Sequence, residues 1–162
     1  AALINNNSHI ILKDINNNQT RNGLILALEK MGAKIILSNH RLNNDERICD
    51  MEIKSSDLNG CDLGPEFADL MIDEYPILSI LAATAKGPTI MNGIKELRFK
   101  ESDRISAVSD GLKRSGVSVS EKQDKLTTLD LYKDLDYLLK AEDLALLSKH
   151  LPKSTVKTVH KL

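Results

Sequence analysis

The chain has 162 residues, 41% hydrophobic and 28% charged, with a net charge of -1. This suits one medium globular domain with a core of its own and argues against general nucleic-acid or anionic-membrane binding. No apolar run approaches a membrane span and no signal peptide is visible; the two cysteines read as ordinary reduced thiols, so a cytoplasmic setting is expected.

The chain begins with Ala rather than Met, and residues 1–4 read as the end of a helix, followed by a polar turn at Asn5 to Asn7. A chain whose upstream part is missing is the expectation. Residues 8–15 alternate loosely and read as a strand. Residues 16–20 form a polar loop, in which Thr20 is placed to cap a helix from about Arg21 to Met31 with Leu24, Leu28 and Met31 on one face. Gly32 stops it, and residues 33–38 return as a strand. Residues 50–55 read as a strand with Met51 and Ile53 on one face, and residues 56–65 as a loop bearing Gly and Asp. The dense apolar run Ile77, Leu78, Ile80, Leu81 predicts a mostly buried helix from about Glu74 to Ala85. Asp73 stands at its N-cap, and Pro76 is tolerated in its first turn. Residues 88–94 read as a strand and 95–101 as a loop. Ser102 or Asp103 then caps a helix with Ile105, Val108 and Leu112 on one face. Gly116 stops that helix, and residues 117–120 leave as a strand. Residues 129–151 are Leu-rich, with the spacing of one or two amphipathic helices. Residues 152–162 are short, basic and expected to fray.

The later stretch repeats the order of the earlier one: strand, loop, capped helix, glycine stop, strand. Arg21 matches Arg104, and Ala1-Ala2 matches Ala82-Ala83. The period is too long for a solenoid of small units. The expected fold is α/β: mixed sheets with helices on one side, in two copies of a strand and helix unit. A tail of different character follows, with the boundary between residues 1–129 and 130–162. Aromatic residues make up 3% and Trp is absent, so the core is expected to be Ile, Leu, Val and Ala. Cys49 and Cys61 show no metal spacing or disulfide framework. The four histidines (His9, His40, His150, His160) include no pair with metal-ligand spacing.

The densest chemistry lies in Lys100-Glu101-Ser102-Asp103-Arg104, five polar residues between two apolar stretches. The first amides of a helix beginning at Ser102 or Asp103 favour an anion. Arg104 on its first turn adds a planar fork for phosphate or carboxylate. Glu101 has the chemistry to accept or deliver a proton, with its pKa set by burial against the neighbouring cations. A capped helix with a solvated charge cluster reads the same way from spacing alone. Asp73 is similarly double: an N-cap, or a carboxylate at a helix start able to bind and deprotonate a hydroxyl.

Met71-Ile72-Asp73-Glu74-Tyr75-Pro76, Met91-Asn92-Gly93 and Glu96-Leu97-Arg98-Phe99-Lys100-Glu101-Ser102-Asp103-Arg104 together resemble the 5-enolpyruvylshikimate-3-phosphate synthase family. Thr20-Arg21-Asn22-Gly23-Leu24 with Met31-Gly32-Ala33 looks like an upstream stretch of the same family, nearer its glyphosate-tolerant class. The likeness is colinear from Ala1 to about Leu129. It implies about two βαβαββ-type units of the enolpyruvyl transferase fold, from the C-terminal domain, plus a divergent helical tail.

The resemblance also implies a reaction. The 5-hydroxyl of shikimate 3-phosphate adds to C2 of phosphoenolpyruvate, and phosphate is eliminated; no cofactor is needed. Asp73 matches the carboxylate that contacts the shikimate hydroxyls and accepts a proton. Glu101 matches the residue that moves a proton at the phosphoenolpyruvate methylene. Lys100 and Arg104 match substrate-binding cations, with Arg104 at phosphoenolpyruvate. In that family the substrates lie between two domains of three units each. Matches to the N-terminal domain, with its Lys and Ser phosphate binders, and to the later Asp-His-Arg segment are absent. Half a cleft loses most of the orientation term, so the polypeptide alone is expected to be inactive. A non-catalytic fold remnant, one subunit of a split enzyme completed by an N-terminal domain in trans, and the UDP-N-acetylglucosamine type of enolpyruvyl transferase stand as alternatives.

Overall fold

The computed structural model describes residues 1–131 and 156–158. At the start, Ala1 O accepts from the amides of Ile4 and Asn5, which closes one helical turn. Then come β1 (His9–Asn16), a 3-10 turn (Gln19–Arg21), α1 (Gly23–Lys30), β2 (Lys34–Asn43) and β3 (Glu46–Lys54). The second part opens with β4 (Asp62–Leu63) and α2 (Ala68–Met71). A 3-10 turn (Ile72–Glu74), α3 (Tyr75–Ala83) and β5 (Thr89–Asn92) follow. A 3-10 turn (Lys95–Phe99), α4 (Arg104–Arg114), β6 (Val117–Glu121) and β7 (Lys125–Leu131) complete it. A last strand, β8 (Val156–Thr158), comes from the tail.

The repeat read from the sequence is a repeat of topology. One sheet has the order β2-β3-β1-β8, the other β4-β5-β7-β6. In each, the strand before the helix lies antiparallel beside the third strand, and the strand after the helix takes that third strand's other edge. β4 lies parallel to β5. The second part is therefore a full βαβαββ unit, and the mixed α/β architecture is as expected. One apolar core runs through both parts, joining Leu28 of α1 and Met31 just after it to Met71, Leu78, Ile94 and Ile105. The expectation for its composition holds for Leu, Ile and Ala but leaves out methionine, since Met31, Met71 and Met91 are each 0–1% exposed.

Several local expectations are corrected. Thr20 is not the helix cap. Asn18 Oδ1 accepts from the Thr20 amide at 3.0 Å, which holds a separate 3-10 turn, and α1 starts only at Gly23. Asp73 is not the N-cap of α3. The chain enters that helix through the 3-10 turn, Glu74 takes the cap position, and the Asp73 side chain is turned toward α4. Ile77 and Ile80 are about half exposed, whereas Leu78 and Leu81 are buried. The apolar run wraps the helix, and only one face meets the core. Asp103, by contrast, caps α4 as read, accepting from the Ser106 amide at 3.0 Å. Gly32 and Gly116 end their helices at φ 88° and 85°.

β2 and β3 run longer than the sequence suggested, meeting at Asn44 and Asp45, both at positive φ. Both neighbours of β3 bulge beside Asp50: β1 between Leu12 and Ile15, across from Asp50 itself, and β2 between Ser38 and Arg41, across from Cys49. Asp14 and Asn39 take left-handed φ there, as Asp and Asn tolerate. Asp50 is buried and accepts from Lys13 Nζ (2.8 Å), Asn39 Nδ2 (3.1 Å), the Asp14 amide (3.2 Å) and Arg41 (3.1 Å). Lys13 first, then Asn39 and the Asp14 amide, hold its carboxyl far below the usual carboxylate range.

β7 reaches Leu131, past the residue where the tail was expected to begin. Part of the stretch expected to fray is β8, antiparallel to β1, with Ile10 opposite Thr158. The amphipathic helices expected further along the tail lie outside the described residues.

Candidate active site

Two helix starts converge. Asp73 sits in the 3-10 turn that leads into α3, and Arg104 is the first residue of α4. Between the 3-10 turn Lys95–Phe99 and α4 runs the charged turn of Lys100 to Asp103. This packing makes a continuous row of alternating charge. Glu96 Oε1 lies 2.7 Å from Lys100 Nζ, and Lys100 Nζ lies 3.6 Å from Asp73 Oδ1. Asp73 Oδ1 is 3.2 Å from Arg104 Nη1, and Arg104 Nη2 is 2.7 Å from Glu101 Oε2. The four residues singled out in the sequence, Asp73, Lys100, Glu101 and Arg104, thus stand together although Asp73 is 31 residues from Arg104.

The electrostatics differ from expectation in one respect. Glu101 is exposed, with its side chain 81% accessible, so burial does not tune it. Its own backbone amide first, then the Arg104 guanidinium, hold its carboxyl below the ordinary value. In this state it is an ionised acceptor. Lys100 is more enclosed, and its hydrogen bond to Glu96 raises its pKa. The row holds three carboxylates and two cations. An incoming anion therefore competes with Glu96, Asp73 and Glu101 for Lys100 and Arg104. An incoming hydroxyl finds Asp73, half exposed, as an acceptor.

Two members of this neighbourhood were not singled out from the sequence. Glu96 is an i,i+4 partner of Lys100, a spacing visible in the chain. Arg98 lies behind the row and touches none of it except through Asp103. No sequence signal marked it: Phe99 is 74% exposed while the Arg98 side chain is 17% exposed, the reverse of what their polarities suggest. Among the described residues, no group of three or more His, Cys, Asp or Glu is arranged to hold a metal ion. Among the same residues, no helix is long and apolar enough to cross a membrane.

The family model for EPSP synthase (3-phosphoshikimate 1-carboxyvinyltransferase) matches residues 1–141. The 3-phosphoshikimate 1-carboxyvinyltransferase of Cereibacter sphaeroides is 48% identical over 126 residues, and that of a Chelativorans species is 48% identical over 127 residues. Each match covers 78% of this chain and 28% of the relative, so the chain spans little more than a quarter of their length. Among solved structures, an EPSP synthase from Acinetobacter baumannii superposes with a TM-score of 0.78 at 38% identity, covering 82% of this chain and 30% of that one. The sequence match extends through both charged segments of the site, and the chain belongs to the EPSP synthase (3-phosphoshikimate 1-carboxyvinyltransferase) family.

Proposed function

We propose that this chain supplies part of one wall of an enolpyruvyl transferase site acting on shikimate 3-phosphate and phosphoenolpyruvate. The observation that carries the reading is the row Lys100, Asp73, Arg104, Glu101 at contact distances of 2.7 to 3.6 Å, formed from two helix starts. In this reading Asp73 takes the proton of the shikimate 5-hydroxyl as its oxygen bonds to C2 of phosphoenolpyruvate. Glu101, once protonated, gives a proton to the methylene carbon in the addition and takes one back from it as the C–O bond to phosphate breaks in the elimination, the proton held by Asp73 leaving with the phosphate. Lys100 and Arg104 bind the substrates, with Arg104 at phosphoenolpyruvate. Charge changes at both reacting ends, and fixed cations and carboxylates favour the state in which it develops.

Family relatives are several times longer, and the resemblance puts the substrates between two domains. The 162 residues alone therefore hold too little of the cleft to orient both reactants. A second wall in trans, in the manner of a split enzyme, is the partner this reading calls for. A cytoplasmic setting goes with it, because both substrates are phosphorylated anions that do not cross bilayers unaided. The divergent tail in this reading begins beyond the family match, after residue 141 rather than after 129.

A phosphate-release assay with both substrates tests the first part: no turnover is expected from the chain alone, and robust turnover would refute the one-wall reading. Titration of the ¹⁵N-labelled chain with phosphoenolpyruvate and shikimate 3-phosphate tests the second. Shifts at Lys100 to Arg104 and at Asp73 support the assignment, and unmoved resonances remove it.

A further inference from the structure

We propose that Arg98 is a positioning residue, which mounts the Lys100 to Arg104 turn on the hairpin between β6 and β7. Its guanidinium spends its donors on protein groups. Nε donates to Gln123 O at 2.9 Å, and Nη2 donates to Lys122 O. Nη1 donates to Asp103 Oδ2 at 2.7 Å and to Ser106 Oγ at 3.2 Å. Glu121 Oε1 stands 3.8 Å from Nη2. These donors point at the hairpin and at the helix cap, so Arg98 is not itself an anion binder.

The consequence lies in what these bonds join. Ile94 N donates to Asp124 O at 3.0 Å, which ties the start of the 3-10 turn Lys95–Phe99 to the hairpin. Arg98 ties the end of that turn to the same hairpin. Asp103, held by Arg98 through Oδ2, caps α4 through Oδ1. The segment carrying Lys100 and Glu101 is therefore clamped at both ends, two residues after Arg98 begins it and just before Arg104 opens the helix. A five-donor planar fork makes these bonds in several directions at once; a lysine ammonium reaches only one or two of the acceptors. The Lys122–Asp124 turn, far from the row in sequence and contributing no side chain to it, becomes part of what sets its geometry.

The inference depends on the proposed function only for its affinity arm. The experiment compares the ¹⁵N,¹³C-labelled 162-residue chain with Arg98→Lys, Arg98→Gln and the surface control Arg114→Gln. In Arg98→Lys, resonances of residues 100–104 and 122–124 are expected to move together while those of β1 to β3 stay. The Asp103 carboxyl titration, now held low by the Ser106 amide and Arg98, is expected to move up. Phosphoenolpyruvate, used as the probe, is expected to bind about tenfold more weakly to Arg98→Gln, with Arg98→Lys in between and the control at wild-type affinity. Residues 100–104 and the Arg104 Nε–H signal unmoved in the Lys variant would overturn the proposal, as would movement confined to 122–124. If Arg98→Gln does not fold, Arg98→Lys decides. If the wild type shows no response to phosphoenolpyruvate, the functional assignment falls, and the joint movement of the two turns alone supports or overturns the positioning role.

Discussion

Arg104 Nη1 lies 3.2 Å from Asp73 Oδ1, and this contact joins the first residue of α4 to the turn that opens α3. Both side chains are partly solvated, at 30% and 52% exposure. A pair so placed contributes roughly 1 kcal/mol or less to stability. Its value is positional, because it holds a cation and an acceptor side by side.

Replacement of Arg104 separates those two roles. Arg104→Gln is expected to change the urea-derived stability by less than about 1 kcal/mol and to weaken phosphoenolpyruvate binding about tenfold or more, since charge-assisted bonds to an anion contribute about 1.5–3 kcal/mol. Arg104→Lys keeps the charge but loses the fork, and is expected to fall between. Equal losses of stability and affinity in the Gln variant would show that the contact is structural.

Asp50 makes the opposite case, a carboxylate whose worth is in the fold. It is 4% exposed and receives four donors from both flanking strands. Its folded pKa lies far below the ordinary 3.8. The stabilisation is thus complete above the unfolded value and is lost as pH falls through that value toward the folded one. Asp50→Asn is expected to lower the thermal midpoint by on the order of 10 °C at neutral pH. The gap to wild type should hold constant from pH 8 to about 5 and narrow below about 4. A gap that is unchanged at pH 2 would show that the two bulges do not depend on the ionised form.

Asp50 also marks the limit of what the chain discloses by pattern. Gly32, Asp103 and Gly116 announced their helix ends, because capping and left-handed stops depend on residues within one turn. The charged turn was legible for the same reason, and the Asp73 partnership was reached through the resemblance. Nothing local marks Asp50, whose partners Lys13, Asp14, Asn39 and Arg41 lie 9 to 37 residues away. Arg98 was hidden likewise, since its acceptors at Lys122 and Gln123 are backbone carbonyls with no sequence signature. Asp73 read as a cap because Asp before a helix usually is one. The 3-10 entry that turns it toward Arg104 is a tertiary choice, made by the packing of two helix starts.

Gly93 fixes where the chain leaves β5 for the 3-10 turn that carries Glu96 and Arg98. It sits at φ 74°, and a Cβ placed on it would lie 2.7 Å from both Cα and Cβ of Pro65. Backbone strain and a clash with an adjoining turn act together. Gly93→Ala is expected to cost about 3 kcal/mol in chemical denaturation. Gly111, inside α4, has nothing within 4 Å of an added Cβ. Gly111→Ala is expected to stabilise by about 0.5–1 kcal/mol through helix propensity and a less flexible unfolded chain. Similar losses in both variants would show that space and φ do not govern Gly93.

Tyr75 carries a cost that a single atom explains. The ring is 1% exposed at the start of α3, packed in the core beside Met71 and Leu78. Its hydroxyl is buried with no hydrogen-bond partner among the described residues, and burial, with the Glu66 charge adding to it, pushes its pKa up to about 12. A buried donor left unpaired costs about 1–3 kcal/mol, while the ring itself contributes the packing. Tyr75→Phe keeps the ring and removes the orphan, so stability is expected to stay level or rise by up to about 1 kcal/mol. Tyr75→Leu, which loses ring volume, is expected to fall by about 2 kcal/mol or more. Urea denaturation of the two variants decides between packing and polarity: a loss above 1 kcal/mol in Tyr75→Phe would mean that the hydroxyl has a partner, and that this helix start, one turn from Asp73, is held by a bond rather than by shape alone.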